Sequence, residues 1–218
     1  MRCAPKIGWL ALVWLLLLST ELSAQERLPV LFELEAGIER LDAGAVRAVF
    51  PAGGSLKIGA VFAVADQGRL RLRPNAGVKV FFNELDEWTT EHLRLIRLGG
   101  QVSYDLFFVG QTTFFPYVAA DFNWVANYDA ESDGGSGDDE QISFSEHYLR
   151  GTGFSQEVGV RAQYREFYVK LGYEIFNPRL KIRSAIVEED LAAGYRTPRS
   201  HPFNFNTLNL SIGVTVGL

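Results

Sequence analysis

From Phe32 onward, apolar and polar residues alternate with period two in eight separate runs. Alternation of that kind sends successive side chains to opposite faces of an extended strand, and a helix cannot sort it. The first run sets Phe32, Leu34, Ala36 and Ile38 against Glu33, Glu35, Gly37 and Glu39. The third is the sharpest: Leu70, Leu72, Ala76, Val78, Val80 and Phe82 oppose Arg69, Arg71, Arg73, Asn75, Gly77 and Lys79. The others center on Leu56–Val64, Leu98–Leu106, Val118–Trp124, Val158–Tyr164, Val169–Ile175 and Leu208–Leu218. The chain is therefore expected to be all-β.

The connections alternate as well. Asp66-Gln67-Gly68, Gly110-Gln111-Thr112 and Arg165-Glu166 read as tight hairpins, whereas residues 41–54, 83–92, 129–146 and 177–203 read as long links. An even number of antiparallel strands with short turns on one rim and long loops on the other describes an up-and-down transmembrane β-barrel. Both termini then lie on the short-turn side, which is periplasmic in a bacterial outer membrane.

The start of the chain agrees with export. Arg2 and Lys6 precede an apolar stretch over residues 7–18, and Leu22-Ser23-Ala24 offers small residues for cleavage. That tripartite pattern predicts a signal peptide over residues 1–24 and a barrel domain over 25–218. The apolar stretch is shorter than the ~20 residues of a spanning helix. Cys3, the one cysteine, precedes it, which excludes a disulfide scaffold and a cysteine zinc site. A formal net charge of −5 argues against a nucleic-acid-binding protein.

Alternation does not say which face is inside, and a soluble lipocalin-like barrel that binds a small ligand alternates too. The glycines favor a polar interior. Gly37, Gly59, Gly77, Gly99, Gly159, Gly172 and Gly213 all fall on the polar face, where small residues make room for long charged side chains in a narrow lumen. Acids and bases on that face nearly cancel. Glu33, Glu35, Lys57, Arg71, Arg73, Lys79, Asp105, Asp121, Glu157, Arg161, Lys170 and Glu174 are expected to form a lumen ion-pair network, with Arg71, Arg73, Glu33 and Glu35 at its center. Glu39, Arg69 and Arg97 share the same face. Aromatic residues near strand ends suggest two interfacial girdles: Phe82, Trp124, Tyr128, Tyr148, Phe203 and Phe205 on one rim, Phe108, Phe115, Tyr117, Tyr164 and Phe167 on the other.

On these residues the chain resembles the small eight-stranded outer-membrane barrels, OmpA/OmpX-like in plan, including the compact forms of Bacteroidetes-type bacteria. The closing stretch Ser211-Ile212-Gly213-Val214-Thr215-Val216-Gly217-Leu218 is similar to their terminal insertion signal, with Leu218 where an aromatic residue usually stands. The resemblance implies insertion by the outer-membrane assembly machinery.

Three groups of residues carry candidate chemistry. Asp129, Glu131, Asp133, Gly134 and Glu140 match positions 1, 3, 5, 6 and 12 of a calcium-loop pattern, in a segment that reads more simply as a solvated acidic loop. His92, His147 and His201 fall in or beside long links without the short spacing of a zinc site. Ser145, Glu146, His147, Ser200 and His201 supply the residue types of a rim-active lipid or peptide hydrolase, but no family motif. The favored expectation is a non-enzymatic, monomeric surface or structural barrel without a cofactor, calcium being the one candidate. Its partners would be outer-membrane lipid and an extracellular or periplasmic protein.

Overall fold

The computed structural model describes residues 30–42, 47, 50–65, 69–84, 89–132, 142–145 and 149–217. Residues 1–24, read above as a signal peptide, lie outside them. The elements in chain order are β1 (Leu31–Leu41), β2 (Ala52–Ala65), β3 (Leu70–Glu84), β4 (Thr89–Tyr104), β5 (Phe107–Val109), β6 (Thr112–Ser132), β7 (Ile142–Ser145), β8 (Leu149–Tyr164), β9 (Phe167–Ile175), β10 (Arg179–Ile182), α1 (Ser184–Ala192), β11 (Ser200–Pro202) and β12 (Thr207–Gly217).

Eight of these strands close on themselves. The order β1-β2-β3-β4-β6-β8-β9-β12 returns to β1, antiparallel at every step, through the register Leu31↔Gly217 to Leu41↔Thr207. Closure leaves none of the eight with an open edge. The four short strands prolong this frame. β5 continues β4 into the hairpin with β6, β7 pairs with the far end of β6, β10 follows β9 along the start of β8, and β11 pairs with β10.

Two of the hairpins on the short-turn rim are two-residue turns. Val109↔Thr112 encloses Gly110 and Gln111, and Tyr164↔Phe167 encloses Arg165 and Glu166. In each, the first turn residue has positive φ, 62° at Gly110 and 53° at Arg165. Positive φ there matches the right-handed twist of the flanking strands. The break between β4 and β5 has a local cause. Pairing slips by one residue between Ser103↔Tyr117 and Phe107↔Phe114, beside Pro116, which has no N–H to donate.

The opposite rim differs from expectation. The link at 83–92 is shorter, because the β3–β4 ladder continues to Glu84↔Thr90. The segment 129–146 is strand at both ends: β6 reaches Ser132 and pairs there with β4 and β7. The segment 177–203 contains β10, α1 and β11.

The barrel is apolar outside and filled inside. Ile38 is 67% exposed and Phe154 76%, while Arg97 and Lys79 are each 1% exposed. Inward positions stay polar along most of each strand. At the long-link end they become apolar, and Leu41, Phe50, Phe81, Leu93, Leu95, Val125, Leu149, Phe176, Leu180 and Phe205 pack into one cluster. This cap corrects part of the aromatic reading. Phe205 belongs to the interior cluster, and Phe115 and Tyr117 point into the lumen, because odd positions of β6 carry the inward parity. Trp124, Phe82, Phe108, Tyr164 and Phe167 are exposed on the outer surface. Tyr128 and Tyr148 side chains lie outside the described residues.

Candidate functional site

The lumen is the site where this chain concentrates polar chemistry, and the strand registers stack it in layers. Nearest the short turns, Arg73 reaches Glu33 at 2.7 Å and Glu35 at 2.8 Å. Arg161 reaches Glu33 at 2.5 Å, donates to Thr215 Oγ1 at 3.1 Å, and lies 3.5 Å above the center of the Tyr168 ring. A guanidinium over an aromatic face gains cation–π attraction in a dry site. The Tyr168 hydroxyl donates to Glu35 at 3.1 Å.

In the middle layer Lys170 bridges Glu35 at 2.7 Å and Glu157 at 3.2 Å. Lys57 reaches Glu157 at 3.2 Å and Asp121 at 3.7 Å, and the Tyr117 hydroxyl donates to Glu157 at 2.6 Å. Toward the cap, Arg97 pairs with Asp121 and, at 2.7 Å, with Glu174. Lys79 holds Glu174 at 2.5 Å and Glu39 at 2.9 Å, and donates to Thr207 Oγ1 at 3.2 Å. Each charge removed from water costs several kcal/mol, and only close, multiply bonded opposite charges offset it. The lumen meets that condition by sharing: Glu33, Glu35, Glu157, Glu174 and Asp121 each serve two cations.

All twelve residues expected in the network make ion pairs, and Arg73, Glu33 and Glu35 share one layer of it, from which Arg71 stands apart. Arg71 pairs with Asp105 at 2.7 Å near the short-turn rim, with its side chain 25% exposed. The middle layer of Lys57, Asp121 and Glu157 is one that strand parity alone could not single out. Arg69 leaves the network: it sits in the turn before β3, 5.3 Å from the Tyr104 ring center. Gly59, Gly77 and Gly99 make room for the charged side chains of Arg73, Lys57 and Asp121, as expected, and three other glycines receive tyrosines. A Cβ on Gly159 or Gly172 would meet the Tyr117 hydroxyl, and one on Gly213 would meet the Tyr168 ring. Tyr117 thus meets glycines of β8 and β9, and Tyr168 a glycine of β12. Their inward parity was the signal that could have found them.

The other candidates that are described lie in β4, β6, β7 and β11. Asp129 and Glu131 lie in β6, where the backbone is engaged by both β4 and β7, while Asp133 and Glu140 lie outside the described residues. His92 is in β4, edge-on to Phe82, and His201 is in β11, edge-on to Phe203. Ser145 is in β7 opposite Asp129, and Ser200 is in β11 opposite Lys181. Glu146 and His147 lie outside the described residues. Among the described residues no three His, Cys, Asp or Glu gather as a metal-binding group.

Fold and lumen together define a class: a closed eight-stranded antiparallel barrel with an apolar exterior and a charged, side-chain-filled interior. The solved structures similar to it are so at low sequence identity. Neisserial surface protein A is 17% identical, with 87% of this chain and 97% of that one covered and a TM-score of 0.44. A major outer membrane protein from Thermus thermophilus is 17% identical, with 85% and 99% covered and a TM-score of 0.43. The attachment invasion locus protein of Yersinia pestis, Ail, is 7% identical, with 85% and 97% covered and a TM-score of 0.45. No family model matches the chain, and no curated protein matches it in sequence.

Proposed function

We propose that the protein is a non-enzymatic outer-membrane barrel whose lumen conducts nothing and whose long-link rim meets the exterior or a partner protein. The observation that carries this reading is the inverted burial: Arg97, Lys79, Lys170 and Glu174 are enclosed while Ile38, Leu98, Phe154 and Ile212 face outward. In water that distribution forfeits the hydrophobic effect on the outside and pays desolvation on the inside; in a bilayer the outer face is matched to its solvent. The export pattern at residues 1–24 supports the same location, and the adjacent ends of β1 and β12 on the short-turn rim support periplasmic termini.

Closure of the lumen rests on two barriers in series, the shared ion pairs and the apolar cap above them. What remains accessible is the extended rim built from β7, β10, α1 and β11, where an extracellular protein partner would dock. Fractionation with heat-modifiable gel mobility tests the location; recovery of the untagged protein in the soluble periplasm would refute it. Planar-bilayer recording of the purified protein tests the closed lumen, with no steady conductance expected. Large stable openings would refute it.

A further inference from the structure

The outer wall changes character where the strands rise past its apolar band on the long-link side. Registers place Arg94 of β4 opposite Ala126 of β6, Ala126 opposite Arg150 of β8, Arg150 opposite Lys181 of β10, and Lys181 opposite Ser200 of β11. These positions form one lateral row on the outward face, with Arg94, Arg150 and Lys181 exposed. Arg179, two residues before Lys181, is exposed on the same face of β10. One step toward the apolar band the row reads Ile96, Trp124 and Thr152. Phe122 lies there too, edge-on to both Trp124 and Phe154.

Neighboring strands are ~4.8 Å apart, so Arg150 and Lys181 are immediate cross-strand neighbors and Arg94 is about 10 Å from Arg150. Like charges set directly opposite each other destabilize a sheet. Among the described residues no ion pair with an acid relieves Arg150, Arg179 or Lys181, whereas each lumen cation named above has a carboxylate beside it. Among the described residues the short-turn rim has no equivalent row. Its exposed wall carries Phe108, Tyr164 and Phe167, with Arg165 stacked 5.3 Å from the Tyr164 ring center.

We propose that Arg150, Arg179 and Lys181 of this row bind the phosphate groups of an outer-leaflet lipid, a phosphorylated saccharolipid. This inference rests on the membrane location proposed above. Guanidinium forks match phosphate geometry with paired hydrogen bonds, and Arg supplies most of the row. A soluble polyanion is the poorer fit. The side chains project sideways from the wall, immediately above Ile96 and Trp124, so an anion held there has hydrocarbon beneath it. Tryptophan at that height marks the edge of the apolar layer. A phosphate between Arg150 and Lys181 would also turn their repulsion into a shared attraction.

The test uses the full mature barrel in neutral detergent micelles, with lipid retention read by native mass spectrometry. Diphosphorylated lipid A, the same lipid stripped of phosphate, and phosphatidylcholine are the probes, and inorganic phosphate is the competitor. Wild type is expected to retain lipid A at least about tenfold better than the stripped form, since a few charge-assisted hydrogen bonds are at stake. The triple variant Arg150→Gln, Arg179→Gln, Lys181→Gln should lose that preference. Arg40→Gln, which removes an exposed outward cation on β1, should keep it. Equal retention by wild type and triple variant, or indifference to lipid phosphate, overturns the proposal. Displacement by millimolar inorganic phosphate overturns it in favor of a soluble-anion site. Flotation of the wild type with phosphatidylcholine vesicles reads the membrane location separately, so a barrel that floats but ignores phosphate defeats this inference alone.

Discussion

The charged midsection of the lumen and the apolar cap above it are built from the same strands at the same inward parity, only a few residues apart. On β3 the step is from Lys79 to Phe81; on β4 it is from Arg97 to Leu95; past the end of β9 it is from Glu174 to Phe176. The midsection holds by pairing. Each group there is costly alone and tolerable only with its partner. The cap holds by area removed from water and by close packing, terms that accumulate residue by residue. The midsection should therefore respond to loss of one partner and recover when its counterpart is also neutralized. The cap should lose stability in proportion to volume removed, with no second change to rescue it.

The largest effect should come from the midsection. Arg97→Met leaves Asp121 without its guanidinium and Glu174 with Lys79 alone, and should lower the unfolding free energy by about 5 kcal/mol, the upper end for breaking a buried pair. Equilibrium urea unfolding in lipid vesicles reads it. Adding Asp121→Asn should recover much of the loss, because the uncompensated charge is then gone. If the double variant is no better than the single one, pairing is not what holds the layer.

Next in size is the cap. Phe205→Ala should cost about 3 kcal/mol by cavity creation in the same assay, and no neighboring substitution to a polar residue should restore it. The glycine contact follows. Gly172→Ala forces the Tyr117 hydroxyl from its place beside Glu157 and should cost about 2 kcal/mol, while pairing it with Tyr117→Phe should relieve part of the clash. The smallest effect belongs to the rim. Arg71→Gln breaks a pair that solvent reaches, and should change stability by no more than about 1 kcal/mol. A loss as large as that of Arg97→Met would erase the distinction between midsection and rim.

The same contrast explains what could be read before any coordinates. Where inward residues are polar and outward ones apolar, as from Phe32 to Glu39, strand, face and parity are all visible in the sequence. Where the cap begins, both faces are apolar. Phe81 and Phe82 are adjacent, and Leu93, Leu95, Ile96 and Leu98 crowd one stretch, so the alternation fades and strand ends blur. The segment 177–203 was obscured for another reason: Pro178, Gly194 and Pro198 punctuate it like a loop, although β10 and α1 form between them and β11 follows. Membership of the lumen was legible from parity. Partner choice was not, because Arg161 and Glu33 meet across the barrel from positions 128 residues apart. Nor could single-strand patterns show that the glycines of β8, β9 and β12 receive tyrosines, since that fit exists only once the neighbors are aligned.

The seam between β1 and β12 has a kinetic consequence. Leu31 faces Gly217 and Leu41 faces Thr207, so the last contacts to form join the two ends of the barrel sequence. Loop-closure entropy makes such distant pairings slow, and the interior charges remain partly uncompensated until they form, since Arg161 of β8 needs Glu33 of β1 and Lys79 of β3 needs Glu174 of β9. Until that seam shuts, the chain presents two raw strand edges to every other unfinished copy nearby. Closure of the barrel thus ends at this seam, and the time spent before it sets how long those two edges stay open.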